Sequence, residues 1–209
     1  MLDKPGYASL LGLIRTRRSV RRFEDRPVPR EAIEAVVEAA RWAPSNENRQ
    51  GWKFLVLESR EMIRDLAQQV RAALEIVCAA ADDTVAKHVA QLAEATGRLT
   101  DAPCLILVLH KRPSIAAIRL LGDDPHAALV SGEPLSAAMA VQNLLLAAHA
   151  LGLGACVLTA PLAGGAIVRV VPDLPAGFEP TCLVALGYAA DNPPVPHKKA
   201  IQHMLEYRR

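Results

Sequence analysis

Apolar residues recur along this chain with changing period, and each change marks an element. From Tyr7 to Thr16, Leu10, Leu11, Leu13 and Ile14 make a broad apolar face at helical spacing. Pro29 opens a second helix at about Arg30, in which Ile33, Val36, Val37 and Ala40 recur in the same way. Pro44 ends it, because a proline pushes the residue before it out of the helical region. Lys53 to Leu57 reads as a strand, and Ser59 is placed to cap a helix starting at Arg60. A helical stretch of mixed polarity then extends to about Leu99. Cys104 to Leu109 is apolar at every position, the mark of a central strand with both faces buried. Arg112 to Gly132 follows no period and is expected to form a mobile cover.

Leu135 to Leu151 is the longest buried-looking helix, and Gly152 is positioned to close it in a left-handed cap. Strands follow at Ala155 to Thr159 and Thr181 to Gly187. The prolines in Asp191-Asn192-Pro193-Pro194-Val195-Pro196 impose an extended tail, which delivers His197, Lys198 and Lys199 to a last short helix. From Leu135 to Val168 the chain is almost without charge, long enough by itself for a membrane span. Gln142, Asn143 and His149 interrupt that stretch, and Gly152, Gly154, Pro161, Gly164 and Gly165 divide it. A buried core is therefore expected there, and no membrane contact.

Composition adds bounds. With 209 residues, 51% hydrophobic and 22% charged, the chain is expected to form one domain over 1–209 with a sizeable core. A net charge of +2 is too mild for a nucleic-acid coat protein, so placement matters more than total: five arginines fall between Arg15 and Arg22. Cys78, Cys104, Cys156 and Cys182 are scattered without a C-x-x-C pair, which suits reduced core thiols. Met1 to Pro5 does not open a secretory signal, and a cytoplasmic location is expected. The six histidines show no metal spacing, so no metal site is expected.

Two segments carry chemistry. Arg17-Arg18-Ser19-Val20-Arg21 packs three guanidiniums and a hydroxyl into five residues. Arginine forks bind two phosphate oxygens at once and keep their charge. Pro44-Ser45-Asn46-Glu47-Asn48-Arg49-Gln50 supplies short amides and a hydroxyl on a proline-started turn, able to bond the polar edge of a flat heterocycle. Together they suggest a mononucleotide cofactor. Read alone, the arginine cluster also suits a solvated face or a nucleic-acid patch, and the amides suit simple turn caps. At least one of Gln142 and Asn143 reads as a satisfied core amide, and His149 as a core residue.

In order along the chain come Arg-Arg-Ser-Val-Arg with Phe23, Ala-Pro-Ser with Asn48 and Gln50, and Asp101-Ala102-Pro103 before a strand. Gln142 to Ala148, Leu151-Gly152-Leu153-Gly154, and Leu186-Gly187-Tyr188 with a proline-rich basic tail follow. In this order the chain resembles the nitroreductase family of FMN-dependent oxidoreductases over nearly its full length. The resemblance implies an α+β fold with a mixed, mostly antiparallel sheet flanked by helices. It also implies an intertwined homodimer with FMN in clefts at the interface, the tail 191–209 crossing to the partner. Arg17, Arg18, Ser19 and Arg21 would grip the phosphate and ribityl chain, joined by Lys199, with Lys198 or His197 behind it. Pro44, Ser45, Asn46 and Asn48 would lie along the flavin from the other subunit. Thr159 to Gly165 would face the ring, with the backbone N–H of Gly164 near flavin N5 and Gly165 beside it.

The activity implied is hydride transfer from NADH or NADPH through FMN to an electron-poor small molecule, such as a nitroaromatic or quinone. No side chain is expected as a nucleophile, since the flavin carries the chemistry. Two departures stand out. Gly51 takes the place of the proline usual in the family before Trp52, and Ala163 stands where some members have a glutamate. Family relatives using FMN for dehalogenation, flavin breakdown or biosynthetic dehydrogenation are the alternative. A non-enzymatic nucleic-acid module is disfavoured by an aromatic content of 4%.

Overall fold

The computed structural model describes residues 4–79, 82, 86, 87, 89, 98–113, 132–171 and 173–208. The expected cover at Arg112 to Gly132 and the continuation of the third helix to Leu99 lie largely outside the described residues. Nine elements are numbered here: α1 (Pro5–Thr16), α2 (Arg30–Arg41), β1 (Trp52–Leu57), α3 (Arg60–Ala79), β2 (Cys104–Lys111), α4 (Glu133–Ala150), β3 (Gly154–Leu158), α5 (Ala166–Val170) and β4 (Phe178–Gly187).

The apolar run at Cys104 is the middle of the fold. Strand order is β1-β2-β4-β3, with every ladder antiparallel. Ser19 adds an isolated parallel bridge to Ala155, which makes the pairing mixed, as expected. Because strand side chains alternate, β2 feeds two cores. Leu105, Leu107 and Leu109 pack with Leu183, Ala185, α3 and α5 on one face. Cys104, Ile106 and Val108 pack with Cys182, Val184, Leu186, α2 and α4 on the other. The fold therefore has three layers, a sheet between two helical sheets of cover. Each fully buried leucine contributes about 1.5–3 kcal/mol by leaving water.

Local chemistry sets the boundaries. The Ser59 hydroxyl accepts from the Met62 N–H at 3.3 Å, as its capping position predicts. Gly152 has φ +75°, and Leu153 N–H donates to Ala148 O at 2.8 Å while Gly152 N–H donates to His149 O at 3.0 Å. That is a Schellman closure of α4. Between Val108 and Leu109 the β2–β4 register shifts, opposite Pro180. A proline has no N–H for the ladder, so a bulge is where it is tolerated. Among the described residues no helix is long and apolar enough to cross a membrane.

Candidate flavin site

The basic motif begins where α1 stops. Thr16 Oγ1 donates to Gly12 O at 2.8 Å, and His149 Nε2 lies 2.8 Å from Thr16 Oγ1. With the hydroxyl proton already given, the imidazole is the donor, so His149 ties α4 to the end of α1. From Arg17 the chain runs extended beside β3. Val20 N–H donates to Ala155 O at 3.1 Å. A Cβ on Gly154 would stand 2.8 Å from the Val20 side chain, so only glycine admits this approach. Farther on, Phe23 bridges Ala189, Glu24 N–H donates to Tyr188 O at 2.9 Å, and Ala190 N–H donates to Arg22 O at 3.0 Å. The motif is thus fixed between the first residues of β3 and the root of the tail.

Its three arginines differ. Burial raises the Cys156 thiol pKa, and the guanidiniums of Arg21 and Arg17 oppose that rise, so both cations bear on one point of β3. Arg18 instead turns back, donating to Arg15 O at 2.7 Å and Arg17 O at 2.9 Å, where it caps the last carbonyls of α1. Arg21 reaches Ser19 O at 3.4 Å, a weak bond. No ion pair holds Arg17, Arg18 or Arg21 among the described residues, whereas Arg22 meets Asp191 at 4.0 Å. Cations gathered on fixed backbone without carboxylate partners suit an anionic ligand.

The polar turn is strained and multiply hydrogen-bonded. Asn46–Asn48 is a single 3-10 turn in which Glu47 has φ 50° and Asn48 φ 52°, and Gln50 follows at φ 50°. Asparagine tolerates this left-handed region, but glutamate and glutamine do so at a cost. Several bonds hold the shape. Gln50 N–H donates to Ser45 Oγ at 3.0 Å, and Asn46 N–H donates to Ser136 Oγ on α4 at 3.1 Å. Ser136 Oγ in turn donates to Gly132 O at 2.7 Å. Arg49 pairs with Glu47 and lies 3.8 Å from Glu133 Oε1. Pro44 and Asn48 are exposed, and Ser45 and Asn46 are half-buried. A cleft of about 360 Å³ beside the turn is lined by Arg41, Trp42, Ala43, Asn48 and Gln50.

The remaining expected residues are dispersed. Thr159 is exposed at the end of β3, and Gly164 and Gly165 close the 3-10 segment Ala160–Gly165, with Gly165 at φ +67°. Lys198 and Lys199 stand exposed on the extended tail, before a single 3-10 turn at Ile201–His203. Among the described residues no hydrogen bond or ion pair joins the basic motif to the 44–50 turn or to the two lysines. Asn143 is a satisfied core amide, donating to Ala39 O at 3.2 Å, while Gln142 is exposed. Sequence reading missed Glu133, Ser136 and Gly132 as the support of the turn. The unexplained Gly51 was the available signal, since a Cβ there would overlap Glu133 Oε2.

Comparison with known proteins fits this arrangement. The family model of the nitroreductase family matches residues 14–188, from the end of α1 through the tyrosine that follows β4. The chain belongs to the nitroreductase family. It is 30% identical over 198 residues, 91% of this chain and 82% of the relative, to a protein of Methanothermobacter thermautotrophicus provisionally named NADH dehydrogenase/NAD(P)H nitroreductase. It is 29% identical over 208 residues to an iodotyrosine dehalogenase 1 homolog of Caenorhabditis elegans, covering 92% of this chain but 59% of that protein. A nitroreductase crystal structure with bound FMN, from Desulfitobacterium hafniense, superposes with TM-score 0.72 at 25% identity, covering 96% of this chain and 98% of that one. The residues present here suit such a cofactor. Arginines with no carboxylate partner among the described residues lie on backbone that glycine brings close, and a turn carrying amides and a hydroxyl is bonded into one shape.

Proposed function

We propose that this protein is an FMN-dependent oxidoreductase, acting as a homodimer, that passes hydride from NADH or NADPH to an electron-poor small molecule such as a nitroaromatic or a quinone. The observation that carries the reading is the placement of Arg17 and Arg21. Both bear on the start of β3 and neither has a carboxylate partner among the described residues, inside a chain of this family. Bound FMN would supply the redox chemistry, taking hydride at N5 from the reduced nicotinamide and returning it to the acceptor. The chain's own residues bind and orient. Arg17, Arg21 and Ser19 would hold the phosphate and ribityl chain, with Arg18 and the tail's Lys198 and Lys199 adding positive charge. Pro44, Ser45, Asn46 and Asn48 would set the ring edge. Thr159, Gly165 and the backbone N–H of Gly164 would face the ring near N5.

A second copy is needed because one chain leaves the parts separate and its apolar surface uncovered. Helix α1 has no buried residue, and Leu10 is 50% exposed. Leu135 and Met139 on α4 and Ile201, Met204 and Tyr207 on the tail are exposed as well. Burying such surface is the main source of dimer stability. Edge strand β1 and helix α2 border a groove of about 430 Å³ containing Ile33, Val37, Phe54 and Val56, a place for the partner's tail. Three buried, unpaired cysteines fit the reducing cytoplasm.

The 29% identity to a dehalogenase homolog supports one second reading, reductive dehalogenation of an aromatic substrate on the same site. Anaerobic reduction of the purified protein by NADH and by NADPH, followed by reoxidation with a nitroaromatic, a quinone or a halogenated phenol, separates the two. Rapid reoxidation by the nitroaromatic or quinone supports the proposal. Release of halide with slow nitroaromatic turnover favours the second reading.

A further inference from the structure

Glu133 is a buried carboxylate at the start of α4. It is 3% exposed, and its Oε2 has no hydrogen-bond partner among the described residues. A buried carboxylate is unfavourable unless a cation or helix dipole compensates it. Two features do so. Glu133 is the first residue of α4, where the helix dipole favours negative charge, and Arg49 Nη1 lies 3.8 Å from Oε1. Arg49 is half-exposed and bonds Glu47, the first of the three strained residues.

Position 51 fits the same arrangement. Gly51 is buried, and any side chain there would collide with the Glu133 carboxylate. With its carboxylate in this position, Glu133 therefore needs a glycine at 51. Gly132, at φ +69°, leaves little room for a Cβ beside Asn46, and Ser136 from the same helix turn accepts from the Asn46 N–H. One turn of α4 thus holds the 45–50 segment at both ends, by hydrogen bond at Asn46 and by charge at Arg49.

We propose that Glu133 is a positioning residue for the flavin-facing turn. Its buried charge fixes Arg49, Arg49 fixes Glu47, and Glu47, Asn48 and Gln50 keep the left-handed backbone that presents Asn48 to the ring. The inference rests on the FMN reading for what the turn presents to, but the bracing itself does not.

The test is a double-mutant cycle in the full-length protein, with Glu133→Gln, which keeps shape and removes charge, and Arg49→Met on the exposed side. FMN titration and backbone hydrogen exchange of residues 45–51 are measured with and without FMN. Each single variant should raise the FMN Kd about three- to tenfold and speed exchange in the turn, and the double variant should be no worse than the poorer single one. Wild-type exchange in either variant, or additive effects, overturns the proposal. If the wild-type chain binds no FMN, the cofactor reading fails by itself. Exchange in the apo-protein then decides the bracing, with faster turn exchange in both variants supporting it and unchanged exchange refuting it.

Discussion

Arg17 and Arg21 are ordinary side chains made unusual by what does not surround them. Both influence the Cys156 thiol on β3, and neither has an acidic partner among the described residues. Arg17→Ala or Arg21→Ala should therefore weaken FMN binding by roughly 1.5–3 kcal/mol, the range for losing a charge-assisted bond, as titration of apo-protein would measure. Arg18 caps α1 through Arg15 O and Arg17 O, so Arg18→Ala should lower Tm more and FMN affinity less than its neighbours do. The buried titratable groups predict a pH profile. Burial pushes the Cys104 and Cys182 thiols up to about 12 from 9.0. Between those values the unfolded chain releases protons that the folded chain keeps, so stability falls as pH rises through 9.0 toward 12. His110 is shifted the other way, lowered by burial against the opposing pull of Glu179 and Glu133. Below 6.5 the unfolded chain binds a proton that folded His110 resists, and stability falls as pH drops. Urea unfolding across pH should show both limbs, and His110→Gln should flatten the acidic one.

At the scale of elements, glycine positions show how tightly local sequence and packing agree. Gly152→Ala places a Cβ in the left-handed cap of α4 and should cost about 1 kcal/mol, with activity unchanged. Gly154→Ala drives a Cβ into Val20 and should cost more, because it also displaces the basic motif from β3; thermal melts with FMN titration separate the two. Much of this level was legible in the sequence. The all-apolar run at Cys104 announced a central strand, Ser59 and Pro29 marked helix starts, and Gly152 marked a helix end, since each is dictated by neighbours in the chain. The supports of the site were not legible. Glu133 meets Arg49 and Gly51 across more than eighty residues, and no local pattern distinguishes an acid at a helix start from a solvated one. Residue type places Arg18 with the phosphate grip, while the direction that sends its guanidinium to Arg15 O and Arg17 O is set only in the fold. His149 looked like core, yet its Nε2 is a tie to Thr16.

At the scale of the whole molecule, the parts of the proposed site lie apart within one chain. Residues suited to a phosphate lie at the end of α1, residues suited to a ring edge lie between α2 and β1, and within the chain nothing described bonds one to the other. Truncation after Ala190 should weaken both dimerisation and FMN retention, because it removes exposed Ile201, Met204 and Tyr207 together with Lys198 and Lys199. Lys199→Ala should affect mainly FMN. Leu10→Glu, on a helix with no buried residue, should shift the protein toward monomer and release flavin with it. The most direct test of the shared-site claim is light scattering of the purified full-length protein combined with chromatography of the flavin released on denaturation. A dimer carrying about one FMN per chain, yellow and bleached by NADH or NADPH without oxygen, is the predicted result. A monomer fully loaded with FMN, or a colourless protein that FMN cannot reconstitute, would contradict it.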